Sequence, residues 1–113
     1  MKRRYSLKKN EAIKRVLDQR QSVRNRHFSI HQRKNHELKY FRFAISVPKK
    51  YGNAVERNLM RRRLRMIIAS QTLINGVDFF VIVSPNAKTL TYPMIETMFI
   101  QLLSKAKLIE VKL

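Results

Sequence analysis

The chain is poor in the residues on which several kinds of functional site depend. It has no cysteine and only two glycines among its 113 residues. The lack of cysteine excludes disulfide frameworks, thiolate zinc sites and thiol nucleophiles. Gly52 and Gly76 are too few and too far apart for a glycine-rich phosphate-binding loop. No apolar run reaches the roughly 18 residues of a membrane span, and no lipidation motif is visible, so we expect no membrane partner.

Acidic residues are also few, and they are scattered. The seven are Glu11, Asp18, Glu37, Glu56, Asp78, Glu96 and Glu110. A two-metal nuclease needs clustered carboxylates to hold its ions. On a strand, His27 and His31 would lie about 13 Å apart, too far to bind one metal. We therefore expect neither a metal site nor a catalytic residue in this chain, which argues against a self-sufficient nuclease.

Positive charge is abundant and unevenly distributed. The chain carries 25 Lys and Arg and a net charge of +18, with a pI near 11.2. Residues 1–65 hold 21 of these bases and four acids, a net of +17, which leaves +1 for the remainder. This asymmetry is typical of a nucleic-acid-binding protein. A hydrophobic content of 44% predicts a folded core, and we expect residues 1–113 to form one domain. The start of the sequence lacks the apolar core of a signal peptide, so a cytoplasmic protein is expected.

The segment 56-ERNLMRRRLRM-66 predicts a helix with one cationic face. At about 100° per residue, five polar side chains fall within an arc of roughly 140°: Arg57, Asn58, Arg61, Arg62 and Arg65. Three apolar residues lie on the opposite side: Met60, Leu64 and Ile67. A solvated helix face would mix charges of both signs, whereas this segment has only Glu56 at its start. The planar guanidinium suits phosphate oxygens, so we predict a phosphate-binding surface, with Arg63 outside it.

Hydrophobic periodicity predicts helix, strands, helix, strand, helix. Ser6 can cap a first helix over 7–19, and strands are expected at 26–33 and 40–47, separated by a turn at 34–39. Pro48 should end the second strand, and Gly52 should give the backbone freedom before the basic helix. After the Asn75-Gly76 turn, residues 78–84 read as a buried strand. Thr91 can cap a last helix with an apolar stripe of six residues: Ile95, Met98, Phe99, Leu102, Leu103 and Ala106.

The strand at 40–47 alternates clearly and so separates the two faces of the sheet. Phe41, Phe43, Ile45 and Val47 should face the core. We expect about four strands with helices over one face, and strands 40–47 and 78–84 as parallel neighbours across the basic helix. The opposite face would carry Ser29, His31, Arg42 and Ser46. This face could hold single-stranded nucleic acid or be an ordinary solvated surface, and composition alone favours neither.

Several segments resemble the bacterial ribonuclease P protein subunit. The run 49-KKYGNAVERNLMRRRLR-65 matches the family signature of Lys-Lys, Gly-Asn-Ala-Val and Arg-Asn-x-x-Lys/Arg-Arg-x-x-Arg. Its RNA-binding positions fall on Lys49, Lys50, Arg57, Asn58, Arg61, Arg62 and Arg65. The segments 7-LKKNE-11, 22-SVRNRHF-28, 45-ISVPKK-50 and 89-TLTY-92 agree in order and spacing. The resemblance therefore extends over nearly the whole chain.

The resemblance implies both a fold and a function. The family fold is α+β, with the order α-β-β-β-α-β-α, a single four-stranded sheet and a ribosomal-protein-S5-domain-2-like topology. Its left-handed β-α-β crossover is uncommon. The family acts as a monomer in a 1:1 particle with a catalytic RNA, which removes the 5′ leader of precursor tRNA with Mg²⁺ held mainly by the RNA. The protein would be the non-catalytic subunit of an endoribonuclease, without a cofactor of its own. A structural, ribosomal-type RNA-binding protein is the alternative.

The resemblance also implies a cleft for the single-stranded leader, between the first helix and the sheet. Candidate lining residues are Ile13, Leu17, Ser29, His31, Arg42 and Ser46. The family often has aromatic residues where this chain has Ile13 and Leu17, and a Tyr where it has His31. It often has Ala-Arg at positions 83–84, where this chain has Val-Ser and so lacks one possible phosphate contact. Stacking on an aromatic ring contributes about 1–3 kcal/mol per base, so weaker leader contacts are expected. Ile13 and Leu17 could equally be core residues.

Overall fold

A computed structural model describes residues 5–7 and 10–109. Within this part of the chain, helices and strands follow the order α-β-β-β-α-β-α, as the resemblance implied. The helices are α1 (Asn10–Asp18), α2 (Ala54–Ser70) and α3 (Tyr92–Lys105). The strands are β1 (Ser22–Arg24), β2 (Phe28–Lys34), β3 (Phe41–Ser46) and β4 (Val77–Val83). Short 3₁₀ turns at Lys49–Tyr51 and Pro85–Thr89 precede α2 and α3.

The four strands form one mixed sheet in the order β1-β2-β4-β3. β2 pairs antiparallel with both β1 and β4, whereas β3 and β4 are parallel. The parallel pair is joined by α2, as the sequence predicted. In this register Phe80 of β4 lies directly between His31 of β2 and Ala44 of β3.

The main core lies between one face of the sheet and the helices α2 and α3. The sheet contributes seven fully or nearly fully buried residues: Phe28, Ile30, Phe43, Val77, Phe79, Val81 and Val83. The helices contribute eight: Met60, Leu64, Ile67, Ile68, Ile95, Phe99, Leu102 and Leu103. Phe43 and Phe79 stack with their ring centroids 5.4 Å apart. The predicted apolar faces of α2, α3 and the strand at 40–47 are therefore confirmed.

The first helix covers the opposite face of the sheet, so the prediction of helices over one face only was wrong. Val16 of α1 is fully buried but is not part of the main core cluster, and α1 packs against β2 and β4. The reason lies in β4, which is apolar on both faces because Phe80 and Ile82 alternate with the core residues. A strand of this kind needs cover on its second face as well.

Residues 5–7 also differ from the predicted start of the first helix, whereas residues 8 and 9 lie outside the described part of the chain. Ser6 does not cap a helix, because it forms a parallel bridge to Phe43. The Leu7 N–H donates a hydrogen bond of 2.8 Å to the Phe43 carbonyl, and the Leu7 side chain is buried. This short pairing satisfies part of the edge of β3, which an isolated edge strand would leave open. The short strand β1 was not foreseen from the pattern, because Val23 is its only apolar residue.

Candidate nucleic-acid interface

The N-terminus of α2 is fixed by a capping box. Asn53 Oδ1 accepts a hydrogen bond of 2.9 Å from the Glu56 N–H, and the Asn53 N–H donates to Glu56 Oε1 at 3.1 Å. Glu56 Oε2 also lies 2.9 Å from Lys88 Nζ, which connects α2 to the turn after β4. The hydrogen bond with Lys88, and then the one from Asn53, lower the pKa of Glu56. The carboxylate therefore stays charged at the helix N-terminus, where the helix dipole favours a negative charge.

Gly52 supports this capping box for a reason other than the one predicted. Its φ of 167° is extended backbone that any residue can adopt, so backbone freedom is not needed there. A Cβ at this position would instead lie 2.6 Å from Glu56 Oε1. Glycine thus leaves space for the capping carboxylate.

The exposed side of α2 carries the predicted cationic face, here called the arginine surface (Arg57, Asn58, Arg61, Arg62 and Arg65). Four of these residues line one open groove: Asn58, Arg61, Arg62 and Arg65. Arg61 Nη1 donates to Asn58 Oδ1 at 2.7 Å, which holds the guanidinium beside Asn58. Among the residues that the structure describes, the ion pairs involve Arg42 and Lys88 instead. Within residues 5–7 and 10–109 the arginine surface is therefore unneutralised, and it can accept an external polyanion.

Arg63 points elsewhere, as the helical wheel predicted. Its guanidinium carbon lies 5.7 Å from the centroid of the Tyr92 ring, at the start of α3. A cation over an aromatic face is a favourable packing contact between the two helices. Arg63 thus serves as a matched comparison for the arginine surface: it has the same side chain on the same helix but a different environment.

Lys49 and Lys50 are exposed in the 3₁₀ turn that leads into α2. The third residue of this turn, Tyr51, is buried, and the burial raises the pKa of its hydroxyl. Tyr51 therefore anchors a turn whose two lysines remain in solvent. They precede the arginine surface along the chain and extend its positive charge.

The second candidate surface is the face of the sheet beneath α1, here called the α1 cleft. Strand register places Ser29 beside Ile82, His31 beside Phe80 and Ser46 beside Ile82 on this face. Ser29, His31 and Ser46 are half-buried, as is Ile13 of α1, whereas Leu17 is 38% exposed. The six predicted cleft residues are therefore on α1 or on the strand face that α1 covers. Val16, rather than Ile13 or Leu17, is the fully buried residue of α1.

Two apolar residues of the α1 cleft were missed by the sequence reasoning, which treated residues 78–84 as uniformly buried. Phe80 and Ile82 are half-buried, and neither packs against the main core. Phe80 lies between His31 and the small side chain of Ala44. The signal was present in the alternation of β4, because the residues on either side of the core residue Phe79 must face the other way.

Arg42 forms an intramolecular ion pair with the buried Asp78. Its Nε and Nη2 donate to Asp78 Oδ1 and Oδ2 at 2.8 and 3.0 Å, a two-point contact that satisfies both carboxylate oxygens. Asp78 is only 1% exposed and also accepts a hydrogen bond from Asn35 Nδ2. The hydrogen bond to Asp78 raises the pKa of Arg42. The guanidinium thus neutralises a buried carboxylate and contributes little net charge to the α1 cleft.

His31 has a lowered pKa. Burial disfavours the charged imidazolium, and the positive charge of Arg24 on β1 adds to this effect. Near neutral pH the ring is therefore uncharged. A neutral imidazole can stack on a base or exchange hydrogen bonds with it but cannot pair with a phosphate as a cation.

Within 5–7 and 10–109, no group of three or more His, Asp or Glu side chains is placed to hold a metal ion. In the same ranges, no helix is both long enough and apolar enough to cross a membrane.

Comparisons with known proteins agree with this geometry. A family model described as Ribonuclease P matches residues 1–107. The ribonuclease P protein component of Phytoplasma australiense is 45% identical over 111 residues, which cover 96% of each chain. The structure of the Staphylococcus aureus RNase P protein has a TM-score of 0.87 at 34% identity, covering 94% of this chain and 98% of that one. The Thermotoga maritima RNase P protein has a TM-score of 0.80 at 25% identity, with 88% and 97% covered. The chain belongs to the ribonuclease P protein family, whose role is in the 5′ processing of tRNA.

Proposed function

We propose that this protein binds a catalytic ribonuclease P RNA through the arginine surface and Lys49–Lys50, and the single-stranded 5′ leader of precursor tRNA through the α1 cleft. The observation that carries the proposal is the unneutralised arginine surface on a helix fixed by packing and capping. Phosphates could bind there without reorganising the helix, because its buried side is already packed and its N-terminus capped.

The proposal assigns phosphodiester hydrolysis and its Mg²⁺ ions to the RNA subunit. The protein would position the precursor and neutralise phosphate repulsion between the two RNAs. Family membership and the scattered acidic residues of the sequence both support this division. Under this division the α1 cleft would distinguish precursor from mature tRNA, because only the precursor carries a leader. The particle would contain one copy of the protein and one of the RNA, in the cytoplasm.

Reconstitution with a bacterial ribonuclease P RNA tests the proposal. The protein should lower the Mg²⁺ concentration needed to cleave precursor tRNA, and it should bind precursor more tightly than mature tRNA. A structural RNA-binding protein of the ribosomal type would bind RNA without lowering the Mg²⁺ requirement. Cleavage by the protein alone, in Mg²⁺ and without RNA, would instead reveal a self-sufficient nuclease.

A further inference from the structure

Three apolar side chains are exposed on α2 next to the arginine surface. Val55, Leu59 and Met66 are 77%, 37% and 57% exposed, whereas the large apolar residues on the opposite side of the helix are buried in the core. At 100° per residue they fall within roughly 40° of one another, and they span about 16 Å along the helix axis. They thus form one continuous strip, here called the apolar strip.

The charges that flank the apolar strip indicate what can cover it. On the helical wheel, Arg62 of the arginine surface lies roughly 20° from one edge of the strip. Arg63 lies roughly 40° from the other edge, but its guanidinium packs over Tyr92. A second copy of this chain would bring the same arginines together, in a protein whose net charge is already +18. Mutual repulsion opposes such a dimer. An occupant with apolar surface next to anionic groups matches both the strip and the adjoining arginine surface.

Unpaired nucleotides have this combination. Their bases present apolar faces, while their phosphates can reach the neighbouring guanidiniums. Met66 adds a polarisable sulfur, which makes favourable contacts with aromatic rings. We propose that the apolar strip packs against unpaired bases of the RNA whose phosphates are bound by the arginine surface. This inference rests on the proposed function and adds a contact that does not depend on charge.

The distinguishing property of such a contact is its response to salt. A phosphate contact makes affinity fall with rising salt concentration, whereas burial of an apolar side chain against a base releases no counterion. The double variant Leu59→Ala/Met66→Ala should therefore weaken binding of the catalytic RNA about tenfold at every salt concentration. The slope of log affinity against log salt should remain that of the wild type.

Three controls accompany this variant. Alanine is a strong helix former, so exposed positions 59 and 66 should tolerate it without loss of Tm. Met94→Ala removes an exposed methionine of similar exposure, 48%, from α3, and should leave RNA affinity unchanged. Arg62→Ala should reduce both the affinity and the salt slope.

Each outcome decides one question. If the double variant binds RNA as tightly as the wild type while Arg62→Ala is weakened, the apolar strip does not contact bases and only this inference fails. If the wild type and all variants bind the catalytic RNA no better than unrelated RNA, the proposed function fails. Concentration-dependent self-association of the wild type that disappears in the double variant would show a second copy on the strip and overturn the inference.

Discussion

The arginine surface and the α1 cleft differ in the elements that form them, in burial and in charge. The arginine surface lies on a single helix, whose opposite side is fully buried and whose first turn is capped by Asn53 and Glu56. The α1 cleft is assembled from α1, β2, β3 and β4, and its side chains are mostly half-buried. Charge dominates the first surface. In the second, the cation Arg42 is paired with Asp78 and His31 has a lowered pKa.

Under the proposed function, this difference indicates how each surface would recognise RNA. The arginine surface offers several fixed positive charges, so its contribution should depend strongly on salt and little on base identity. The α1 cleft offers apolar and neutral polar groups, so it should recognise unstacked bases with a weak dependence on salt. Substitutions in the two regions should separate these contributions.

The largest effect should come from Arg42, and it should be on stability. Arg42→Ala leaves the buried Asp78 carboxylate with Asn35 as its one remaining side-chain partner in the described part of the chain. Removal of one partner of a buried ion pair costs about 3 kcal/mol or more. Urea unfolding should show this loss in the free energy of unfolding.

The double variant Arg42→Ala/Asp78→Ala provides the control, because it removes the uncompensated charge and should recover part of the lost stability. A single variant as stable as the wild type, but defective in leader binding, would mean that Arg42 serves the leader rather than the fold.

The arginine surface should show the opposite behaviour: a loss of binding without a loss of stability. Arg61→Ala and Arg65→Ala should each weaken binding of the catalytic RNA by about 1.5 kcal/mol, typical of a hydrogen bond to a charged group. The salt slope should fall by roughly one per removed contact. Filter binding over a salt series measures both.

Arg63→Ala is the matched comparison, because Arg63 packs over Tyr92. It should reduce RNA affinity less than Arg62→Ala does. Equal losses for the two variants would contradict the assignment of the RNA-binding side of α2.

The contrast also explains what the sequence could predict. The arginine surface follows from local periodicity, because one helix carries both the charges and the apolar anchor that orients them. Family resemblance placed the α1 cleft, but its composition depends on contacts between distant strands. Whether Arg42 was free could not be known without its pairing to Asp78, 36 residues away. Phe80 was missed because residues 79–83 are apolar on both faces of β4, so polarity does not distinguish the half-buried Phe80 and Ile82 from the core residues. Serine is a common N-cap residue, yet Ser6 pairs with Phe43 of β3, and this tertiary contact overrides the local preference.

Phe80 should contribute a smaller effect, specific to the leader. Its ring lies on the cleft face beside the small side chain of Ala44. Phe80→Leu keeps an apolar side chain and removes the ring, so the preference for precursor over mature tRNA should fall by about 1 kcal/mol. Affinity for mature tRNA should not change. Thermal unfolding must be measured in parallel, because a destabilised variant would lower both affinities.

Rings added on α1 test the same cleft from its other side. Ile13→Phe and Leu17→Phe together should raise the preference for precursor by about 1 kcal/mol or less, since the rings must also fit beside the sheet. A stable double variant with an unchanged ratio of precursor to mature affinity would indicate that these side chains do not face the leader.

The smallest effect should come from the protonation of His31. Burial and Arg24 lower its pKa, so the unfolded chain binds a proton at a higher pH than the folded protein does. The free energy of unfolding should therefore be unaffected by His31 above pH 6.5 and should decrease as the pH falls through the interval down to the folded pKa. Leader affinity should rise over the same interval, because the protonated ring adds a positive charge to the α1 cleft. His31→Gln should remove both trends while keeping a polar side chain. NMR titration of the His31 ring measures the pKa directly, and a value at or above 6.5 would contradict the assignment of a neutral, base-contacting imidazole.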